Sequence, residues 1–328
     1  MTTLTPAGPP TEYGALRAGA HYATLVLASM LGTLIRLGFN AIGDYNGSVI
    51  FPLAWAQGVG CGVMGLGTAR KPEVAWIYPP LTTFVTTGIA GSTTTFSSWM
   101  LEGFEAFADT PAGGFSKTVN GVAYSLATFG ISYAGVVLGH QVSSFLPSLP
   151  RPRLLGKPCR LSPTPVVDGL MLLLAAASYA AALAMYFAAP TYWRRHAVFA
   201  LLLSPPGAML RYGLSRLNSG KRVDGRFPLG TFIANAAATL LIGGAYAGMR
   251  RPAGVVACDA LHALQDGFCG CLSTVSTFVV EARTLRRGWA WGYVLSSVVL
   301  GHLLILATVG GVRWTEGPIG VCTGSDAV

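Results

Sequence analysis

The sequence predicts an all-α integral membrane protein: nine transmembrane helices forming two inverted four-helix repeats, joined by one linking helix, with a broken third helix in each repeat. Three observations predict it. The chain of 328 residues is 52% hydrophobic and 11% charged, whereas a soluble domain carries about a quarter charged residues. Apolar runs near the ~20 residues that cross a bilayer core recur along it. Leu170 to Ala189 runs without period-2 alternation, which selects helices over a closed barrel, since lipid leaves the backbone only those two choices. Finally, a polar motif recurs 179 residues downstream of itself.

The elements follow in order. Residues 1–20, rich in Thr, Pro, Ala and Gly, read as a disordered tail without the basic start and short apolar stretch of a cleavable signal. Spans are predicted at 21–40, 50–69, 75–106 and 118–143, which together make the first repeat, 21–143. A Pro- and Arg-rich linker occupies 144–165, and 166–189, plain in Leu, Ala and Met, is the linking helix; together they fill 144–190. Spans at 197–217, 228–249, 256–285 and 289–312 make the second repeat, 191–312, and a tail of 313–328 closes the chain. The pairs Trp76/Tyr78, Tyr192/Trp193 and Trp289/Trp291 fall at span ends, where interfacial aromatics belong.

Charge orients the array. Arg17, Arg70, Lys71 and the clusters around Arg151–Arg160, Arg216–Arg226 and Arg283–Arg287 put fourteen basic residues on one side. Lys117, Arg194, Arg195, Arg250, Arg251 and Arg313 put six on the other. The positive-inside rule then sets the N-terminus in the cytoplasm and, across nine spans, the C-terminus outside. The net charge of +9 is accounted for by these loops, and no nucleic-acid partner is expected. The six cysteines lack zinc-ligand spacing and read as small core residues.

The repeat is detailed. Gly91-Ser-Thr-Thr-Thr-Phe-Ser-Ser-Trp99 followed by Glu102 matches Gly270-Cys-Leu-Ser-Thr-Val-Ser-Thr-Phe278 followed by Glu281. Gly32 and Arg36 match Gly207 and Arg211; Gln57, Cys61 and Gly65 match Asn235, Thr239 and Gly243; Tyr124 and Thr128 match Tyr293 and Ser297. One extra crossing between two four-span units forces opposite orientations, with a functional site expected at mid-membrane where the halves meet.

Glycine and consecutive β-branched hydroxyl residues weaken a helix, so the repeated run predicts a break whose freed carbonyls need protein, water or an ion. Serine and threonine bonding back to their own helix is the other reading. Arg36 and Arg211 either snorkel to an interface or supply positive potential for an anion. Glu102 and Glu281 are expected at span ends in a pairing or capping role. Tyr124, Thr128 and Ser132 share one helix face as hydrogen-bond donors or as packing glue. No His-Glu-x-x-His, Gly-x-Ser-x-Gly or Walker loop occurs and the five histidines share no ligand spacing, so no enzyme is predicted.

The Gly-x-x-Thr-Thr-Phe-Ser-x-aromatic segment, the Gly-x-x-x-Arg of a first span and the Asn-centred second span resemble the fluoride channel family over residues 28–310. Its eukaryotic members look like two bacterial four-span units fused through an extra helix. The resemblance implies a passive, fluoride-selective channel in the cell membrane, working as one chain in the lipid bilayer, an intramolecular pseudo-dimer. It implies a structural Na+ held by main-chain carbonyls of Gly91 and Thr94 with Gly270 and Ser273. It further implies pore phenylalanines whose positive ring edges meet the anion, a second-span asparagine and a fourth-span hydroxyl track.

These positions depart from twofold repetition. Phe96, Phe278, Asn235, Tyr124, Thr128 and Ser132, with Thr95, Ser97, Arg36 and Arg211, are grouped as one working pathway. Gln57, Trp99, Val275, Tyr293, Ser297 and Gly301 are grouped as a degenerate one. The rivals are a small inverted-repeat proton-coupled transporter, for which the first and sixth spans lack a carboxylate, and a non-transporting assembly subunit.

Overall fold

A computed structural model of the chain describes residues 14–45, 48, 50–108, 113–149, 153–154, 157–158, 165–219, 227–249 and 254–316. The first half holds α1 (Gly14–Gly43), α2 (Leu53–Ala69), α3 (Lys71–Ile77), α4 (residues 79–93), α5 (Phe96–Ala108) and α6 (Gly114–Phe145). Helix α7 (Pro165–Ala188) follows. The second half holds α8 (Thr191–Asn218), α9 (Leu229–Gly248), α10 (residues 255–272), α11 (Val275–Thr284) and α12 (Arg287–Thr315). The only β structure among the described residues is a two-residue antiparallel pair, Arg153–Leu154 with Lys157–Pro158, within the linker.

Seven stretches are long and apolar enough to cross a membrane: α1, α6, α7, α8, α9, α10 with α11, and α12. Helix α2, with 17 residues, and the segment from Lys71 to Ala108, interrupted at Tyr78 and again at Thr94–Thr95, fall outside that count. The expected tail to Ala20 is corrected: α1 already begins at Gly14. Residues 1–13, most of the 144–165 linker and most of the 313–328 tail lie outside the described residues. The cysteine reading is corrected too. Cys61, Cys269 and Cys271 are free and buried, but Cys258, at the start of α10, is disulfide-bonded; Cys159 and Cys322 lie outside the described residues.

Close packing rests on small residues, as in lipid, where association depends on backbone approach rather than on the hydrophobic effect. A Cβ on Gly135 or Gly139 of α6 would overlap the carbonyl oxygens of Gly58 or Gly62 on α2. Helix α7 lies at the periphery, with only Asp168, Ala175 and Ala182 buried. The two alanines pack with Ala23, Val26 and Met30 of α1 and Leu201 and Leu202 of α8. Asp168 anchors this otherwise plain helix, accepting from Arg17 Nε and from the Tyr78 hydroxyl, each at 2.7 Å.

Candidate functional site

The two interrupted helices meet at the centre of the fold. Each carries a π-helical turn, Phe84–Ala90 and Leu264–Cys269, and then breaks. Thr94 turns extended (φ −93°, ψ 144°), as do Ser273 (φ −85°, ψ 161°) and Thr274 (φ −159°, ψ 135°). Helix resumes at Phe96 and Val275.

The amides just past each break do not close on the preceding turn. Those of Phe96 and Ser97 both donate to Ser273 Oγ at 3.1 Å, and that of Ser98 to Thr95 Oγ1 at 3.3 Å. In the second half, Thr274 N donates to Asn235 Oδ1 (2.8 Å), Ser276 N to Thr94 Oγ1 (3.1 Å) and Thr277 N to Thr274 Oγ1 (3.5 Å). These are the donors that the carbonyls of Ser92, Thr93, Thr94, Gly270, Leu272 and Ser273 would use in an unbroken helix.

The hydroxyls reciprocate across the halves: Thr94 caps the restart of α11 and Ser273 that of α5. Thr94 Oγ1 lies 3.3 Å from Thr274 Oγ1, and Ser97 Oγ 3.0 Å from Ser273 Oγ. Thr95 Oγ1 also joins this lock, 3.1 Å from Ser273 Oγ. Contacts in which i meets j' and j meets i' are the signature of a twofold relation.

Each break is braced from its own half, unequally. Asn235 Nδ2 donates to Thr274 O at 3.3 Å, completing a two-bond clamp on that residue. Gln57 Nε2 donates to Thr95 O at 2.7 Å, and its Oε1 has no partner.

Arg36 and Arg211 do not snorkel: they are 1% and 4% exposed. Each crosses to the other half's interrupted helix. Arg36 Nη2 donates to the carbonyl of Asp266, and Arg211 Nη2 to that of Thr87 (2.6 Å) and to Ser92 Oγ (3.4 Å). Both acceptor carbonyls belong to the π-helical turns, and cations near helix C-termini are favoured by the dipole. The opposed residues are Gly270 and Gly91, where any Cβ would overlap the guanidinium. The repeated glycine is therefore a seat for the other half's arginine.

Beyond the breaks, aromatic rings converge. Phe96 and Phe278 stand edge to face with centroids 5.5 Å apart, and Trp99 is 5.3 Å from Phe96; all three, with Val275, are at most 1% exposed. The contacts set Phe278 between the fourth spans of the two halves. Phe278 lies 5.0 Å from Tyr293, and a Cβ on Gly301 would sit 3.1 Å from Phe96 Cε1 and 2.5 Å from Met100 Sδ. Phe278 also approaches Phe129 of α6 at 6.4 Å. Tyr124 lies tilted against Phe51, ring centroids 4.1 Å apart, and donates to Glu102. Helix α5 packs on α9 and α12 of the other half, bringing Phe96 to Gly301, and α11 on α2 and α6, bringing Phe278 to Phe129.

The hydroxyl stripes bond back to their own helices. Thr128 donates to Tyr124 O (2.8 Å), Ser132 to Thr128 O (2.7 Å) and Ser297 to Tyr293 O (2.7 Å). The repeated glutamates act as acceptors: Glu281 takes Tyr293 (2.8 Å), Thr231 (2.7 Å) and Asn218 (2.9 Å), the counterpart of Glu102 with Tyr124. Sequence reasoning missed Asn218, which also caps α9 by accepting from Gly230 N at 2.6 Å.

Among the described residues no three His, Cys, Asp or Glu gather to hold a metal. The carbonyls of Thr94, Gly270 and Ser273, their usual donors redirected, are chemically suited to an oxygen-seeking monovalent cation.

Comparison with known proteins gives a consistent result. The family model described as CrcB-like protein, Camphor Resistance (CrcB), matches residues 23–140 and again residues 198–311. Fluoride export protein 1 of Candida albicans is 33% identical over 89% of this chain and 80% of its own length. Fluoride export protein 1 of Neurospora crassa is 31% identical over 89% of this chain and 66% of its own length. A fluoride-specific ion channel, FluC, of Methylobacillus flagellatus is 36% identical over 30% of this chain and 80% of its own. No solved structure matches the chain.

Proposed function

The chain belongs to the CrcB-like family, two copies of whose model it contains, and from that premise we propose that it is a passive fluoride-selective channel exporting cytosolic fluoride. The observation that carries this reading is the meeting of two equivalent breaks in one chain, each capped by the other's hydroxyl. A single chain then supplies both sides of the mid-membrane site, an intramolecular pseudo-dimer of two inverted four-span repeats, with nine crossings if α2 and the interrupted third segment each cross.

Fluoride would pass the positive edges of Phe96 and Phe278, in a site made electropositive by buried Arg36 and Arg211. Asn235 positions the second break, and Tyr293 and Ser297 lie on the helix beside Phe278. Because the stripe hydroxyls donate to carbonyls, offering them to an anion requires rotation about χ1. The path of Gln57, Trp99 and Val275 is read as degenerate, leaving one working pore. A Na+ among the redirected carbonyls would neutralise two converging helix C-termini. Exchange of sodium for N-methylglucamine should then lower the melting temperature; an unchanged temperature removes the cation from this account.

The cell membrane, with the N-terminus cytoplasmic and the C-terminus outside, is the proposed setting. Disulfides persist in oxidising compartments, and the disulfide-bonded Cys258 lies at the sparsely basic end of the array. The proton-coupled and scaffold readings are not favoured by relatives named as fluoride channels and export proteins.

The test is efflux from liposomes with valinomycin setting the voltage. Fluoride should leave without chloride, and Phe96→Ile should reduce flux far more than Val275→Ile. Equal loss from the two variants refutes the single pore. No flux from folded, reconstituted protein refutes the channel.

A further inference from the structure

A groove of about 610 Å³ opens sideways between α6 and the junction of α11 with α12. Its walls are apolar and aromatic: Phe129 and Tyr133 on one side, Leu285 and Trp291 on the other. Trp291 is 61% exposed and Tyr133 43%, so in a bilayer the opening faces lipid. Arg283 and Arg287 stand in the same groove. The Arg283 guanidinium lies 5.4 Å over the Tyr133 ring, and neither arginine pairs with a carboxylate among the described residues.

These charges are not imposed by the repeat. A second groove of about 850 Å³, between α6 and α12 farther along, uses matching positions: Phe104 and Ala108 stand where the first has Arg283 and Arg287, and its own cations, Lys117 and Arg313, come from other positions, Lys117 donating to the Ala108 carbonyl. What sets the first groove apart is two guanidinium groups together, without a carboxylate partner among the described residues, beside an apolar slot.

We propose that this groove is a binding site for an anionic phospholipid, one acyl chain lying along Phe129 and Trp291 and the headgroup phosphate held by Arg283 and Arg287. Guanidinium suits phosphate through paired donors, and basic pockets between transmembrane helices at the cytoplasmic side are where such headgroups bind. The bound chain would also touch the pore. Phe129 lies 6.4 Å from Phe278, so a filled groove holds the ring that faces Phe96, and flux becomes dependent on lipid charge. The binding stands on the membrane fold alone; the effect on flux rests on the channel reading.

Native mass spectrometry of the purified full chain tests the binding, with phosphatidylglycerol against phosphatidylcholine as probes. Phosphatidylglycerol should be retained preferentially, and R283Q/R287Q should weaken its retention about tenfold. Gly130→Leu gives a second arm. No atom lies within 4 Å of a Cβ there, so the side chain fits, fills the slot and should weaken retention with both arginines present. Equal retention of the two lipids, or full retention in either variant, overturns the proposal. Displacement of the lipid by sn-glycerol 3-phosphate alone also overturns it, since that marks a bare phosphate site. In liposomes, fluoride flux should be at least threefold faster with phosphatidylglycerol, and R283Q/R287Q should abolish that difference. Retention without flux in any lipid refutes the channel and leaves the lipid site standing.

Discussion

Replacing Asn235 with alanine removes both hydrogen bonds that hold Thr274 at the second break, one to its amide at 2.8 Å and one to its carbonyl at 3.3 Å. Thr274 is fully buried, so no water reaches the orphaned groups. A buried backbone group left unpaired costs about 1–3 kcal/mol, which puts the change at about 4 kcal/mol. Gln57→Ala at the matching position loses one bond, to Thr95 O at 2.7 Å, and also removes a buried Oε1 that has no partner. Its net effect should be about 1 kcal/mol. The difference of about 3 kcal/mol corresponds to roughly 4–5 °C in melting temperature for a chain of this size, from an unfolding entropy of about 2.1 cal/mol/K per residue. Thermal unfolding of the two purified variants in one detergent, followed by light scattering, measures it. A Gln57→Ala variant that melts as low as Asn235→Ala would refute the reasoning, because the clamp would then contribute no more than its single-bonded counterpart.

Gly270→Ala places a methyl in the seat of the Arg36 guanidinium. It should destabilise by about 3 kcal/mol through overpacking and disturbance of the bond to Asp266 O, an effect that an unchanged melting curve would deny. Gly301→Ser restores the third hydroxyl of the second stripe, but its Cβ would lie 2.5 Å from Met100 Sδ. Fluoride flux should fall, and Met100→Ala in the same chain should restore it at least partly; a rise in flux from Gly301→Ser alone contradicts the packing. Asp168→Asn keeps the shape but loses the charge that meets Arg17 beneath a 1%-exposed carboxylate. About 2 kcal/mol should be lost, and equal melting of variant and parent would show that α7 is held by its alanine seam alone.

The helices and both breaks were legible because their signals are local. Apolar runs, and a Gly-Ser-Thr cluster that weakens a helix, act within a few residues of where they stand. What the sequence hid was partnership across the halves. Arg36 looks like any arginine near a span end, and nothing around it reveals that a π-helical turn 230 residues away offers it a carbonyl. Tyr124 and Tyr293 look interchangeable, yet Tyr293 stands beside Phe278 while Tyr124 lies tilted against Phe51. Phe96 likewise meets Gly301 and Phe278 meets Phe129 because α5 and α11 cross to opposite halves, which no spacing encodes. Asp168 sat in a helix whose composition signalled only lipid contact, and its partners Arg17 and Tyr78 come from two other elements.

The mutual capping at the centre also bears on how the chain is made. Phe96 and Ser97 amides find their acceptor 176 or more residues later, at Ser273. At a synthesis rate of about 5–20 residues per second, the first half waits roughly 10–35 s in the membrane with those donors unmet. During that interval it is an unfinished object, open to quality-control proteases and to pairing with another chain's first half. Slow elongation through the second half should lengthen that exposure, and a co-expressed second half should shorten it.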